Sequence, residues 1–416
     1  MQAQRNSASP YSYFGIGESF ESLTVEQVSM GGIGVALKDN YHLNFTNPAA
    51  NADLVYTTYG LGGSVSFITL KETNNSQSGN STALRYIALG LPVVKKIGVT
   101  IGLQPFSSVG YALLNRQFSD TETNEITEIT RFTGSGGTNK LYAGIGAYVF
   151  KGLSVGVEAS FIFGNIENNV LNQIANISLA TKHNENLNIK GTQFKLGGQH
   201  KIILKNKLQI NTGAVATLKS NLSAVGTQQQ YSLSFDGSGL EQIRDTLFDN
   251  NISGKITLPY KVAFGLGLGK KNKWYISANQ EYKQALAISD EINLTSEGFS
   301  YESANKFSLG GFYIPKFNSI SSYWNRVTYR AGLRFENIGV LVEYDKSLNN
   351  VKSISDFGIN FGFGLPLPKS LSNINLGFEY GQRGTTNNNL IKENYFNVKL
   401  SLSLNSLDWF IKRKID

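Results

Sequence analysis

The sequence predicts an all-β fold, a transmembrane antiparallel β-barrel of about fourteen strands with an N-terminal hatch inside its lumen. Three observations carry that prediction. Charge is scarce although no long apolar run exists, a period-two alternation recurs along the chain, and the connections alternate between short and long. The 416 residues include 43 Gly, 20 Tyr, 25 Phe and no Cys, and only 16% are charged, against about 25% in soluble domains. Mean hydropathy is nevertheless −0.18. No stretch offers the roughly eighteen consecutive apolar residues of a membrane-crossing helix. Strands with one lipid-facing and one lumen-facing side reconcile these facts, because the two faces average toward zero hydropathy.

The opening residues carry no clean alternation. Within them, SMGGIGVALKDNYHLNFTNPAA (29–50) has clustered glycines that invite a phosphate-loop reading. Gly32 and Gly34 fill two fingerprint places, but Leu37 occupies the third and no apolar strand precedes them, so the nucleotide reading fails. In a barrel of this size the segment instead reads as a plug, residues 1–53. Gly31, Gly32 and Gly34 permit tight turns and close approach to the wall. Asn47, Pro48 and Ala49 fix the chain before the first strand. The start, MQAQRNSASP, shows neither a charged n-region nor an apolar h-region, so any secretory signal is expected to have been removed.

The barrel is assigned to residues 54–405. In FNVKLSLSL (396–404), Phe396, Val398, Leu400, Leu402 and Leu404 share one face, and Asn397, Lys399, Ser401 and Ser403 share the other. Segments 153–163, 260–269, 356–365 and 374–381 repeat the pattern, with a second face rich in Gly and Ser and poor in Lys and Glu. Such a face suits a crowded or wet lumen. The expected strands are 55–71, 82–92, 97–114, 126–150, 153–169, 187–204, 208–233, 252–270, 273–288, 301–314, 326–344, 351–366, 373–384 and 394–404. Short Lys-rich turns, such as Lys95-Lys96 and Lys205-Asn206-Lys207, alternate with long polar connections at 72–81, 115–127, 168–187, 234–251, 287–300, 345–352 and 384–393. Short periplasmic turns and long outer loops follow this rule. The net charge of +8 resides largely in those turns, so nucleic acid is not an expected partner. Residues 406–416, with Trp409-Phe410 and Lys412-Arg413-Lys414, read as a short periplasmic tail.

The pattern G-x-G-x-A-x-x-D followed by N-P-A is carried here by Gly32, Gly34, Ala36, Asp39, Asn47, Pro48 and Ala49. It resembles the FadL/TodX family of outer-membrane proteins, as does the layout of hatch and strands. The resemblance implies a bacterial outer-membrane location and contact with outer-membrane lipid and lipopolysaccharide. It implies a channel for hydrophobic small molecules, fatty-acid-like or aromatic, captured at the outer loops and released sideways at a kink in the third strand. That strand reads GVTIGLQPFSSVGYAL, with Pro105 in the middle, so a lateral opening would involve Pro105, Phe106, Ser107 and Ser108. A mid-strand proline removes a ladder donor and implies a bulge; one that only curves the wall is the alternative. A PorV-related branch of the same family serves secretion, so the competing function is an accessory, non-transporting subunit of a multi-protein outer-membrane machine for secretion or barrel assembly.

Two outer segments show apolar residues at helical spacing, Leu171, Ile174 and Ile177 in VLNQIANISLA, and Leu240, Ile243 and Leu247, with Phe248 adjacent, in GLEQIRDTLFD. They are expected to form either a ligand groove or two short helices packed on each other. The periplasmic connection 315–325, with Ile320, Tyr323 and Trp324, is expected to be a partner surface or a lid under the barrel. No cofactor or metal is expected, and no catalytic role: His42, His183 and His200 lack partners at triad or metal-ligand spacing.

Overall fold

The computed structural model describes residues 9–73, 75–119, 125–292, 298–345, 350–368 and 370–407. It is a closed wall of fourteen antiparallel strands. In chain order these are β1 (Thr57–Lys71), β2 (Ser76–Val94), β3 (Ile97–Phe118), β4 (Ile126–Phe150), β5 (Leu153–Ile174) and β6 (Ala180–Ile203). Then follow β7 (Leu208–Thr217 and Ser220–Phe235), β8 (Glu241–Leu258 and Lys261–Lys270), β9 (Trp274–Lys283, with Ala287–Ile288) and β10 (Phe299–Tyr301 and Ala304–Tyr313). The last four are β11 (Thr328–Asp345), β12 (Asn350–Pro366), β13 (Asn373–Gly384) and β14 (Lys392–Ser406). Pairing of β14 with β1, from Lys392↔Lys71 to Ser406↔Thr57, closes the barrel.

The alternation places apolar side chains outward. Leu141, Ile145, Val157, Phe161, Phe264 and Phe361 are all exposed, Phe264 by 63%. In water this would be an unstable surface; in a bilayer it is the lipid-facing band. Their neighbours Lys140, Glu158 and Ser160 are buried. The inward face is thus more charged than its Gly/Ser-rich sequence suggests. Many of these charges meet an opposite one on another strand, as Glu158 meets Lys140 and Lys195, so no run of one sign marks the face.

Two expectations need correction. Residues 168–187 and 234–251 are mainly strand, and neither apolar set is helical. Leu171 and Ile174 belong to β5, Ile177 lies in the turn before β6, and Ile243, Leu247 and Phe248 belong to β8. The reason is templating. Once β5–β6 and β7–β8 are paired in the membrane, each further residue extends an existing ladder, whereas an isolated short helix must bear the cost of nucleation. Bulges between Ile243/Asp245 and Thr246/Phe248 absorb the irregular spacing. The connection 72–81 likewise shrinks, because β2 begins at Ser76.

Candidate functional site: the filled lumen and the seam beside the third strand

Residues 9–54 thread between the walls. Thr24 caps a single helical turn, Val25–Val28, in a capping box with Gln27. Gly31 (φ 72°) and Gly32 (φ 86°) then turn the chain in a conformation that favours glycine. Gly34 is wedged between the Gln27 and Thr46 side chains, leaving no room for a Cβ. The Asn47 side chain accepts from the Ala49 amide at 3.0 Å and donates to the carbonyls of Val35 (2.8 Å) and Gly198 of β6 (3.1 Å). Pro48 opens the short helix Pro48–Asp53. The wall makes room with glycines. A Cβ on Gly156 of β5 would lie 2.4 Å from the Pro48 carbonyl carbon, and one on Gly332 of β11 would lie 2.2 Å from that of Met30. The segment's contacts extend from Gly90 of β2, beside Leu43, round to Gly377 of β13, beside Ser29.

The lumen has three levels. Toward the outer side lies an apolar cluster of Val109, Ile162, Ile166, Leu187, Leu222 and Ile256, with Ile16 of the N-terminal segment inserted among them. The middle level is ionic. Arg334 meets Glu336 (2.8 Å), Glu379 (3.2 Å) and Asp356 (3.3 Å). Lys399 also reaches Glu379 (2.5 Å), and Glu158 takes both Lys195 (3.1 Å) and Lys140 (3.4 Å). Several of these ties join wall to N-terminal segment. Arg383 contacts Glu18 (3.0 Å), Lys306 pairs with Glu21, and Lys140 donates to Ser22 (2.7 Å). A cavity of about 320 Å³ sits within this level. On the periplasmic side a second cavity, about 250 Å³, opens between the N-terminal segment and the short turns. There Asp39 receives His42 Nδ1 at 2.9 Å and the Tyr41 amide at 2.8 Å. Burial disfavours the charged forms of both, but each charge more than offsets this for the other. His42 is held above its ordinary value and Asp39 below its own.

Beside the third strand the wall parts. β2 and β3 pair only from Val94↔Ile97 to Ile87↔Leu103. Beyond that level the described wall residues leave β3 paired with β4 on its other side alone, and the register shift between Pro105 and Ser107 leaves Phe106 bulged. β2 has its own shift against β1, which leaves Arg85 as the extra residue. The proline lacks an amide hydrogen and ends the ladder; the bulge then turns the free edge inward. The N-terminal segment covers that edge, with Glu18↔Ser108 and Ser19↔Ser107 paired and the Phe20 amide donating to the Phe106 carbonyl at 2.9 Å. Ser107 Oγ lies 2.7 Å from Thr138 Oγ1, and the Arg85 guanidinium stacks on Phe20, 4.5 Å from its ring centre. Behind the seam is a polar cavity of about 130 Å³, bordered by Ser64, Ser81 and Ala83 and by Arg85, Arg383 and Lys399.

The remaining sequence-selected residues do not gather at this seam. Leu240, Ile243 and Leu247 are exposed on the β7–β8 hairpin, and Ile174 and Ile177 on the neighbouring β5–β6 hairpin. Phe248 places its ring 6.1 Å from that of His183. Ile320, Tyr323 and Trp324 are exposed, Trp324 by 65%. Trp409, Phe410 and Lys412 to Lys414 lie outside the described residues. Sequence reading missed Arg85, Arg334, Glu158 and Glu379. For Glu158 and Glu379 the signal is a lone charge in the inward register between small residues, as in Gly156-Val-Glu158-Ala-Ser160 and Gly377-Phe-Glu379-Tyr-Gly381.

Closed wall, threaded N-terminal segment and interrupted third strand together define a FadL-like barrel. Solved structures share the fold. The toluene transporter TodX of P. putida superposes with a TM-score of 0.60 at 16% identity, covering 93% of this chain and 99% of its own. A Pseudomonas aeruginosa FadL homologue gives 0.59 at 12%, covering 93% and 98%. The monoaromatic hydrocarbon channel CymD gives 0.57 at 13%, covering 94% and 99%. No curated protein matches the sequence. The chain belongs to the BamG family, whose model matches residues 1–416.

Proposed function

We propose that this outer-membrane barrel is a non-transporting subunit of a multi-protein machine, with residues 1–53 as a permanent hatch. The observation that carries the reading is the ionic middle level. An apolar solute moving inward from the outer cluster would have to pass Arg334, Lys140, Lys195 and their carboxylates, buried charges that stand among the apolar side chains of the cavity there. Withdrawing the hatch would separate Arg383 from Glu18 and Lys306 from Glu21. Stranding one partner of a buried pair costs roughly 3–5 kcal/mol. Glu18 and Glu21 are partly exposed, which lowers that figure for each, but several ties must break together.

The seam favours a second reading, a channel for fatty-acid-like or aromatic molecules with a sideways exit near Pro105. TodX and CymD, which share the fold, are described as a toluene transporter and a monoaromatic hydrocarbon channel. The cavity behind this seam is polar, however, and suits such cargo poorly. Uptake of radiolabelled toluene into proteoliposomes separates the two readings. Rates equal to those of protein-free vesicles are expected; protein-dependent uptake would establish the channel instead.

A further inference from the structure

The periplasmic mouth carries a charge pattern that the lumen does not need. The connections 94–97, 150–153, 204–208, 270–274 and 314–328 contain no Asp or Glu. Their lysines, among them Lys96, Lys151, Lys205 and Lys273, are exposed. Inside this ring the 250 Å³ cavity is lined by Lys38, Lys201, Lys270, Lys271, Arg326 and Arg330 but only two carboxylates, Glu26 and Asp39. Lys38 is already neutralised by Asp53 at 2.9 Å. Glu26 receives Asn375 and Ser403 at 2.6 and 2.8 Å, and Asp39 receives His42. Five cations against two carboxylates leave an excess of three in one concave site. His42 Nε2 and Arg326 Nε, on two of its lining residues, are buried without a hydrogen-bond partner. On the same face Phe317 borders the cavity, and Ile320 and Trp324 project from the connection that carries it.

We propose that this vestibule is a docking site for an acidic polypeptide segment that also carries apolar side chains, supplied by a periplasmic partner. The proposal rests on the machine-subunit reading and says where one partner engages. Charge complementarity selects the acidic segment, since clustered cations at one site repel one another until carboxylates arrive. Concavity argues against bilayer phospholipid, whose headgroups meet the barrel's outer surface while Lys201, Arg326 and Arg330 line an interior cavity. The exposed aromatic rim argues against a free inorganic anion, because tryptophan and tyrosine beside arginine make an apolar anchor for a chain.

The test uses the full chain in mild detergent and a fluorescently labelled poly-glutamate peptide interspersed with leucines, read by anisotropy. Binding that weakens as salt rises is expected. K270Q/K271Q, on an exposed turn that should fold unchanged, should weaken it about five-fold. K95Q/K96Q, on a turn that does not line the cavity, should leave it within about two-fold. W324A should weaken it at constant salt dependence. Absence of peptide binding, equal losses in both lysine pairs, competition by inorganic phosphate alone, or preference for phosphatidylglycerol nanodiscs over the peptide would each overturn the proposal. Isolation of the tagged K270Q/K271Q protein from native membranes keeps the two readings apart. An undiminished complex there refutes this docking site and leaves the subunit reading intact, whereas a lone wild-type barrel refutes the subunit reading itself.

Discussion

At Gly332 the wall and the N-terminal segment are one packing unit. The Met30 backbone lies where a side chain would begin, and Gly156 stands in the same relation to Pro48. A larger residue at either place must push backbone against backbone, which costs about 1–3 kcal/mol or more. Gly332→Val and Gly156→Val should therefore lower the temperature at which the barrel loses its compact gel mobility and expose the N-terminus to protease. Gly198→Val, where an added Cβ would meet nothing within 4 Å, should do neither. The Asp39–His42 pair gives a pH signature at the same scale. The raised His42 contributes stability that is complete below its ordinary value of 6.5 and lost as pH climbs through its raised one. The depressed Asp39 contributes stability that is complete above 3.8 and lost as pH falls through its lowered value. Anchoring of residues 39–42 should be strongest between those ordinary values, and His42→Gln should flatten the alkaline side of a protease-protection profile. A His42→Gln profile that still fell with rising pH would assign the effect elsewhere.

At the scale of an element, the third strand decides the seam. Because the Phe20 amide donates to the Phe106 carbonyl and Glu18 stands opposite Ser108, Ser19 and Ser107 form the intervening pair, the geometry in which opposed side chains come closest. The chain has no native cysteine, so Ser19→Cys with Ser107→Cys should oxidise quantitatively and join hatch to wall without altering the complex the barrel forms. Failure of that pair to crosslink would show that the N-terminal segment leaves β3. Pro105 was legible as a ladder-breaker because one residue type suffices to remove a donor. Arg85 was not, since its inward turn comes from a bulge created by the pairing of β2 with β1, and a single strand's sequence does not specify register against its neighbour. The same limit explains the outer hairpins. Leu240, Ile243 and Leu247 fit helical spacing locally, but the ladder already built by β7 and β8 overrides that preference. Strand number and alternation were readable because lipid imposes them on each strand separately.

Across the whole molecule the levels of the lumen act in series: an apolar cap, an ionic middle, and a basic vestibule facing the periplasm. Most inward charges are matched within the middle level, so they add rigidity and little net field. The unmatched charge is concentrated at the periplasmic mouth, where a partner rather than a solute would meet it. Function was less legible than fold for a physical reason. Carboxylates on one strand find cations several strands away, as Glu379 finds Arg334, and only the closed barrel brings them together. The central claim, a sealed barrel working as one part of a machine, is tested most directly by its native particle. The chain, tagged at its chromosomal locus and isolated in mild detergent, should migrate well above the size of a 45.6 kDa barrel and hold at least one other outer-membrane protein in fixed stoichiometry. A particle containing this chain alone, from membranes in which every candidate partner is present, would contradict the account.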